Sequence, residues 1–158
     1  MNNVLLIHVP SRREMCEGDI PFPLGLMYVG GILERLGKNV KIHDLYLYDF
    51  PYEDRWGYLM LKKIIEDFSP DVIGYGGIAM SYGWAKNLSI QVKKDYPSII
   101  QMAGGALSSV YDLLLTKAAI DVVFHGEVET NLPVFVDRFD SKKQWTDIPG
   151  ISYFNNEI

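Results

Sequence analysis

The stretch Asp71-Val72-Ile73-Gly74-Tyr75-Gly76-Gly77-Ile78-Ala79-Met80-Ser81-Tyr82 decides the fold. A short β-branched run passes into glycines and small residues, the pattern of a buried parallel strand whose carboxyl end opens onto a ligand crevice. Two further stretches repeat it: Met102-Ala103-Gly104-Gly105-Ala106 and Val123-Phe124-His125-Gly126-Glu127. Upstream, residues 3–9 form a continuous apolar strand closed by Pro10, and residues 40–45 a second strand.

Between these strands the apolar period becomes helical. Leu26, Val29, Gly30, Leu33 and Leu36 are spaced for a first helix starting at Leu24, with Gly37 as its C-terminal glycine. A second helix over 59–68, with Leu59, Ile64, Ile65 and Phe68 as its buried face, stops before Pro70. Helices over 82–95, 108–119 and 127–139 follow, and Pro133 is tolerable only near the first turns of the last. Residues 98–103 and 122–125 are strands four and five. A charged linker at 140–147 precedes a possible extra strand over 148–154.

Alternating strands and helices require right-handed crossovers and a mainly parallel sheet covered on both faces. The expected architecture is an α/β three-layer sandwich of strand order 2-1-3-4-5, with a switch point between strands one and three. Ligands of such sheets bind beyond the carboxyl ends of the strands. The loops 10–23, 76–82, 104–109 and 125–130 converge there. The first of these is longer than an ordinary connection, which marks it as functional.

Composition narrows the function classes. A length of 158 residues with 48% apolar residues supports one globular domain, and no apolar run approaches the roughly 20 residues of a membrane span. The amino terminus lacks the pattern of a signal peptide. The lone cysteine, Cys16, can form no internal disulfide and points to a reducing, cytoplasmic location; alone it holds neither zinc nor an iron–sulfur cluster. A net charge of -5 without a basic run argues against nucleic acid as a partner, and the absence of a span argues against a membrane.

The candidate chemistry lies at the strand ends. Gly74-x-Gly76-x-x-Ala79 matches the G-x-G-x-x-A dinucleotide fingerprint only superficially, since it follows the third strand and no acid ends the next one. There is no P-loop, no H-E-x-x-H, no Cys–His cluster and no G-x-S-x-G. Of three histidines, His8 and His43 fall inside strands as ordinary half-buried imidazoles, with His43-Asp44 one candidate oriented pair. His125 stands at a strand end and suits a site role or a structural one equally. Gly104-Gly105-Ala106 allows a planar or phosphate-bearing ligand to lie on the backbone, with Ser108 and Ser109 as helix caps or ligand donors. Gly126-Glu127 has the same double reading. Glycines at three adjacent strand ends favour a ligand site.

Several blocks together carry a resemblance. Pro21-Phe22-Pro23-Leu24-Gly25-Leu26-Met27-Tyr28, Leu33-Glu34-Arg35-Leu36-Gly37, Pro70-Asp71-Val72-Ile73-Gly74, Gly104-Gly105, the run Asp121 through Thr130 containing Gly126-Glu127-Val128-Glu129-Thr130, and Ile148-Pro149-Gly150-Ile151 occur in order over nearly the whole chain. They resemble the amino-terminal cobalamin (B12)-binding domain of B12-dependent radical S-adenosylmethionine enzymes. The resemblance implies a flavodoxin-like, Rossmann-like domain over 1–140, with 141–158 as a linker and strand leading to a catalytic barrel. Cobalamin would sit at the strand ends, its nucleotide tail entering beside strand one. Carried over by position, Gly76, Gly77, Ile78 and Ser81, together with Gly104, Gly105 and Ala106, would line tail and corrin. Pro23, Leu24 and Gly25 would follow the tail pocket, and His125, Gly126 and Glu127 would close the site.

The Cys-x-x-x-Cys-x-x-Cys motif of the barrel, which carries the [4Fe-4S] cluster and S-adenosylmethionine, is absent from this chain, so the chain by itself is expected not to catalyse. Classical cobalamin domains carry Asp-x-His-x-x-Gly. Here Ile20 and Phe22 occupy the Asp and His places before Gly25, so cobalt ligation by a histidine of this loop is not expected. Ala106-Leu107 follows the double glycine where many members carry His. The contrasting expectation is a cofactor-free regulatory or interaction domain of the same fold; a third is a small flavin or nucleotide protein.

Overall fold

The computed structural model describes residues 1–11, 22–54, 56–141, 145 and 147–153. Most of the loop 10–23, with Cys16, and part of the charged linker lie outside the described residues.

Six strands form one sheet: β1 (Asn3–His8), β2 (Asn39–Asp44), β3 (Val72–Gly76), β4 (Ile100–Gly104), β5 (Val122–Phe124) and β6 (Ile151–Tyr153). Their order is β2-β1-β3-β4-β5-β6, as expected from the sequence, with all neighbours parallel except the β5–β6 pair. The helices are α1 (Leu24–Arg35), α2 (Tyr58–Phe68), α3 (Tyr82–Asp95), α4 (Tyr111–Lys117) and α5 (Asn131–Asp140).

Strand alternation divides the core in two. Leu5, Ile7, Val9, Ile73, Tyr75 and Ala103 face α2, α3 and α4 and pack with Leu61, Ile65, Trp84, Leu88 and Leu114. Val4, Leu6, Val72, Met102, Val122 and Phe124 face α1 and α5 and pack with Ile32, Leu33, Leu132 and Phe135. The first face also holds a buried polar network in which the Tyr75 hydroxyl donates to Gln101 Oε1 at 2.7 Å and Gln101 Nε2 donates to the Ser89 carbonyl at 2.9 Å.

Helix ends follow local chemistry. Gly37, at φ +75°, ends α1: its N–H donates to the Glu34 carbonyl and that of Lys38 to the Leu33 carbonyl, the double bond pattern of a glycine-terminated helix. Three expectations shift. In α2 the buried face is Tyr58, Leu61 and Ile65, while Leu59 is 61% exposed, because Tyr58 starts the helix and anchors its phase through a 2.7 Å bond to Asp95. The fourth helix begins at Tyr111 rather than Ser108, after a 3-10 segment over Gly105–Val110 in which Ser109 Oγ donates back to the Ala106 carbonyl. The fifth begins at Asn131 rather than Glu127, which keeps Pro133 within its first turn. The extra strand covers Ile151–Tyr153, in register with Phe124, Val123 and Val122 of β5.

Candidate functional site

The carboxyl ends of β1, β3, β4 and β5 surround a cavity of about 740 Å³ between the sheet and the amino-terminal turns of α1. Its position is the one the strand order dictates, since the connections after β1 and β3 leave to opposite faces. The deep end is apolar: Leu6, Met102, Phe124 and Leu132 bound it.

Glycines along β3 and β4 do two different things. A Cβ on Gly74 would come within 2.8 Å of Leu6 Cδ2 and 3.0 Å of Met102 Cε, and one on Gly76 within 2.7 Å of Leu26 Cδ2, so these two are bare because neighbouring side chains cross them. Gly105 and Gly126 sit at φ +65° and +64° with nothing within 4 Å of the place a Cβ would take, so they turn the chain while leaving backbone open toward the cavity.

The structure brings most of the sequence-derived candidates together. Pro23, Leu24 and Gly25 at the start of α1, Gly76, Gly77 and Ile78 after β3, Gly104, Gly105 and Ala106 after β4, and Gly126 and Glu127 after β5 all line the cavity. Two stand apart from its lining. Ser81 is fully buried; its Oγ donates to the Val9 carbonyl at 3.0 Å and accepts the Ile78 N–H at 3.3 Å, tying the ends of β1 and β3. His125 Nε2 lies 2.9 Å from Ser152 Oγ, and its ring meets Tyr111 edge-on at 5.1 Å, joining β5 to β6. Ser109 is taken up by its bond to Ala106.

The histidines are arranged differently from the sequence expectation. Asp44 pairs with His8, whose Nδ1 is 3.0 Å from Asp44 Oδ1, and His43 instead places Nε2 3.2 Å from Met60 Sδ and stacks on Tyr48. Consecutive strand residues point to opposite faces, so His43 and Asp44 cannot pair. Burial and the nearby Lys41 charge hold His43 below its ordinary pKa. His8 is only 8% exposed and lines the cavity together with Ser11 and Tyr46. The Tyr46 hydroxyl accepts the Ser11 N–H at 2.9 Å, and Asp44 Oδ1 also accepts the Tyr46 N–H at 2.9 Å. The signal that reveals His8 is the alternation Val4, Leu6, His8 on one face of β1.

On the opposite rim, Tyr28 of α1 and Glu129 both line the cavity, and the neighbouring Glu129 carboxylate pushes the Tyr28 phenol pKa above its ordinary value. An apolar collar of Phe22, Leu24 and Ile78 stands exposed around the mouth. Among the described residues, no three His, Cys, Asp or Glu side chains are grouped to hold a metal ion, and no helix is long and apolar enough to cross a membrane.

Comparison with known proteins agrees with this geometry. The chain is 26% identical over 95% of its length to cytidylyl-2-hydroxyethylphosphonate methyltransferase of Streptomyces wedmorensis, and spans 31% of that enzyme. Its fold superposes on the radical S-adenosylmethionine methyltransferase TsrM of Kitasatospora setae with bound tryptophan and aza-SAM (TM-score 0.77, 18% identity, 99% of this chain, 29% of that one). The TsrM structure with cobalamin and a [4Fe-4S] cluster gives a TM-score of 0.75 at 19% identity, over 99% of this chain and 30% of that one. A cobalamin-binding protein of Desulfitobacterium hafniense gives 0.60 at 14% identity, over 86% of this chain and 58% of that one. The family model described as "B12 binding domain" matches residues 16–136, a span that takes in α1, the glycines that line the cavity and the first part of α5, and the chain therefore belongs to the B12-binding domain family.

Proposed function

We propose that this chain is the cobalamin-holding part of a longer radical S-adenosylmethionine enzyme, one that performs methyl transfer or related radical chemistry. The observation that carries the reading is the cavity at the ends of β1, β3, β4 and β5, walled by glycine backbone, whose lining from Phe22 to Leu132 falls within the family match. Its chemistry fits the cofactor. Cobalamin combines a broad corrin edged with amides and a narrow nucleotide tail. The backbone of Gly104, Gly105 and Gly126 offers close approach and hydrogen-bonding groups to the first, while Leu6, Met102, Phe124 and Leu132 offer an apolar slot to the second.

Bound cobalamin supplies a cobalt centre able to carry a methyl group. This chain's own part would be to hold and orient it: exposed Leu24 and Ile78 would shield the mouth from water, and the glycine loops would offer their backbone to the ring. S-adenosylmethionine and the [4Fe-4S] cluster would belong to a catalytic barrel reached through residues 141–158. The lone cysteine of this chain supports a reducing, cytoplasmic setting.

Titration of the folded chain with hydroxocobalamin, followed by absorbance, tests the reading. Saturable binding is expected, with a cobalt spectrum free of an imidazole ligand from this chain. Absence of saturable binding overturns it.

A further inference from the structure

The sheet register sets four residues side by side across its carboxyl edge. Asp44 of β2 is opposite His8 of β1, His8 is opposite Gly76 of β3, and Gly76 is opposite Gly104 of β4. Partners in register share a face, here the face toward α1 and α5 on which Leu6 and Met102 also lie. The row therefore reads carboxylate, imidazole, bare backbone, bare backbone. The strands themselves contribute no side chain to the middle of the row, where Leu26 of α1 crosses Gly76, and an imidazole to one end of it.

The imidazole is held in place. Asp44 Oδ1 takes Nδ1 at 3.0 Å, and the same oxygen caps the turn that starts at Leu45 by accepting the Tyr46 N–H. The Tyr46 ring packs on His8 with centroids 4.8 Å apart. A carboxylate on one ring nitrogen sets the orientation and role of the other. Among the described residues no group takes Nε2, although His8 is nearly buried and lines the cavity. A polar atom fixed by two neighbours and left for a cavity is suited to a ligand.

We propose that His8, positioned by Asp44, hydrogen-bonds through Nε2 to the sugar-phosphate part of the cobalamin nucleotide tail. The assignment rests on the cobalamin reading above. The tail is selected over the corrin by width: in the layer between the sheet and α1, Leu26 comes within 2.7 Å of the place a Cβ on Gly76 would take, too close for a macrocycle to descend. The sugar-phosphate is selected over the flat base by polarity, because the deeper walls at Leu6, Met102 and Phe124 are apolar and His8 stands at the entrance.

The experiment compares hydroxocobalamin with cobinamide, which keeps the corrin and lacks the nucleotide tail. His8→Ala is expected to weaken cobalamin binding about tenfold while cobinamide affinity stays within about twofold. Asp44→Asn, which retains an acceptor for the Tyr46 N–H, is expected to weaken cobalamin binding by a smaller factor and to spare cobinamide. His8→Gln is expected to restore part of the loss. Cobinamide binding by each variant also reports that it is folded.

An equal loss for both ligands, or no loss for either, overturns the assignment and leaves the cobalamin reading standing. A change in the absorption spectrum of bound cobalamin on His8→Ala overturns it in favour of imidazole on cobalt. Failure of the unmodified chain to bind either corrinoid removes the cobalamin reading, and this assignment with it.

Discussion

The two faces of the sheet are made from the same strands and end up in opposite states. On β1 and the residue after it, Leu5, Ile7 and Val9 point to the α2–α4 face, and Val4, Leu6 and His8 to the α1–α5 face. On β3 the split is Ile73 and Tyr75 against Gly74 and Gly76, and on β4 Gln101 and Ala103 against Met102 and Gly104. The first face is closed to solvent along its length, even to the point of burying the Tyr75 hydroxyl, whose pKa burial drives far above its ordinary value. The second is closed only near the amino ends of the strands and opens into the cavity toward their carboxyl ends. One face stores stability and the other binding, and the residue size alternating along β3 separates the two.

The largest expected effect tests that division in the core. Leu5→Ala empties space in the closed face and is expected to cost ~3–4 kcal/mol of unfolding free energy. Leu6→Ala, whose side chain already borders the cavity, is expected to cost only about 2 kcal/mol. Denaturant titration of both variants measures the difference. Equal costs would mean that the faces do not differ energetically.

Next is a substitution that should touch binding alone. Gly104 has extended backbone, φ -165° and ψ -169°, and a Cβ there meets Phe124 Cβ at 3.6 Å and the Phe124 carbonyl oxygen at 3.8 Å, both ordinary contacts. Gly104→Leu is expected to change stability by less than about 0.5 kcal/mol and to weaken cobalamin binding by roughly 100-fold, as the new side chain occupies the cavity. A stable variant that still binds tightly would remove the glycine shelf from the site.

How far the sequence leads follows from the range of the interactions involved. The order 2-1-3-4-5 and the 82–95 helix are legible because both rest on period and chain order, which are local or topological. The starts of α4 and α5 are displaced because side-chain and turn chemistry at Ser109 and Gly126 competes with the helix over a few residues. At the site, glycine-ended strands mark the cavity, but identical glycines hide different causes: Gly76 yields to Leu26, Gly105 to a positive φ. The His8–Asp44 pair is invisible until strands are placed in register, since its members are separated by a helix in the chain. Ser81 and His125 sit at loops that do converge, yet their side chains turn toward neighbouring elements, a choice made by packing.

Ser81 gives the smallest and sharpest test of where the closed face ends. Its side chain lies under the crest of the sheet, pressed against Gly77, where a Cβ would come within 2.7 Å of Ser81 Oγ. From there it satisfies the Val9 carbonyl and the Ile78 N–H, two backbone groups of the loops that flank the switch point. Ser81→Ala leaves both without this partner and is expected to cost about 1 kcal/mol, a fall of about 2–4 °C in Tm for a chain of this size. Cobalamin affinity is expected to stay within about twofold, because the hydroxyl faces the strand ends and the cavity is lined by Gly77 and Ile78 in front of it. Thermal unfolding and hydroxocobalamin titration of the one variant read the two quantities separately. Lost affinity at unchanged Tm would move Ser81 across the boundary, from the support beneath the site into its wall.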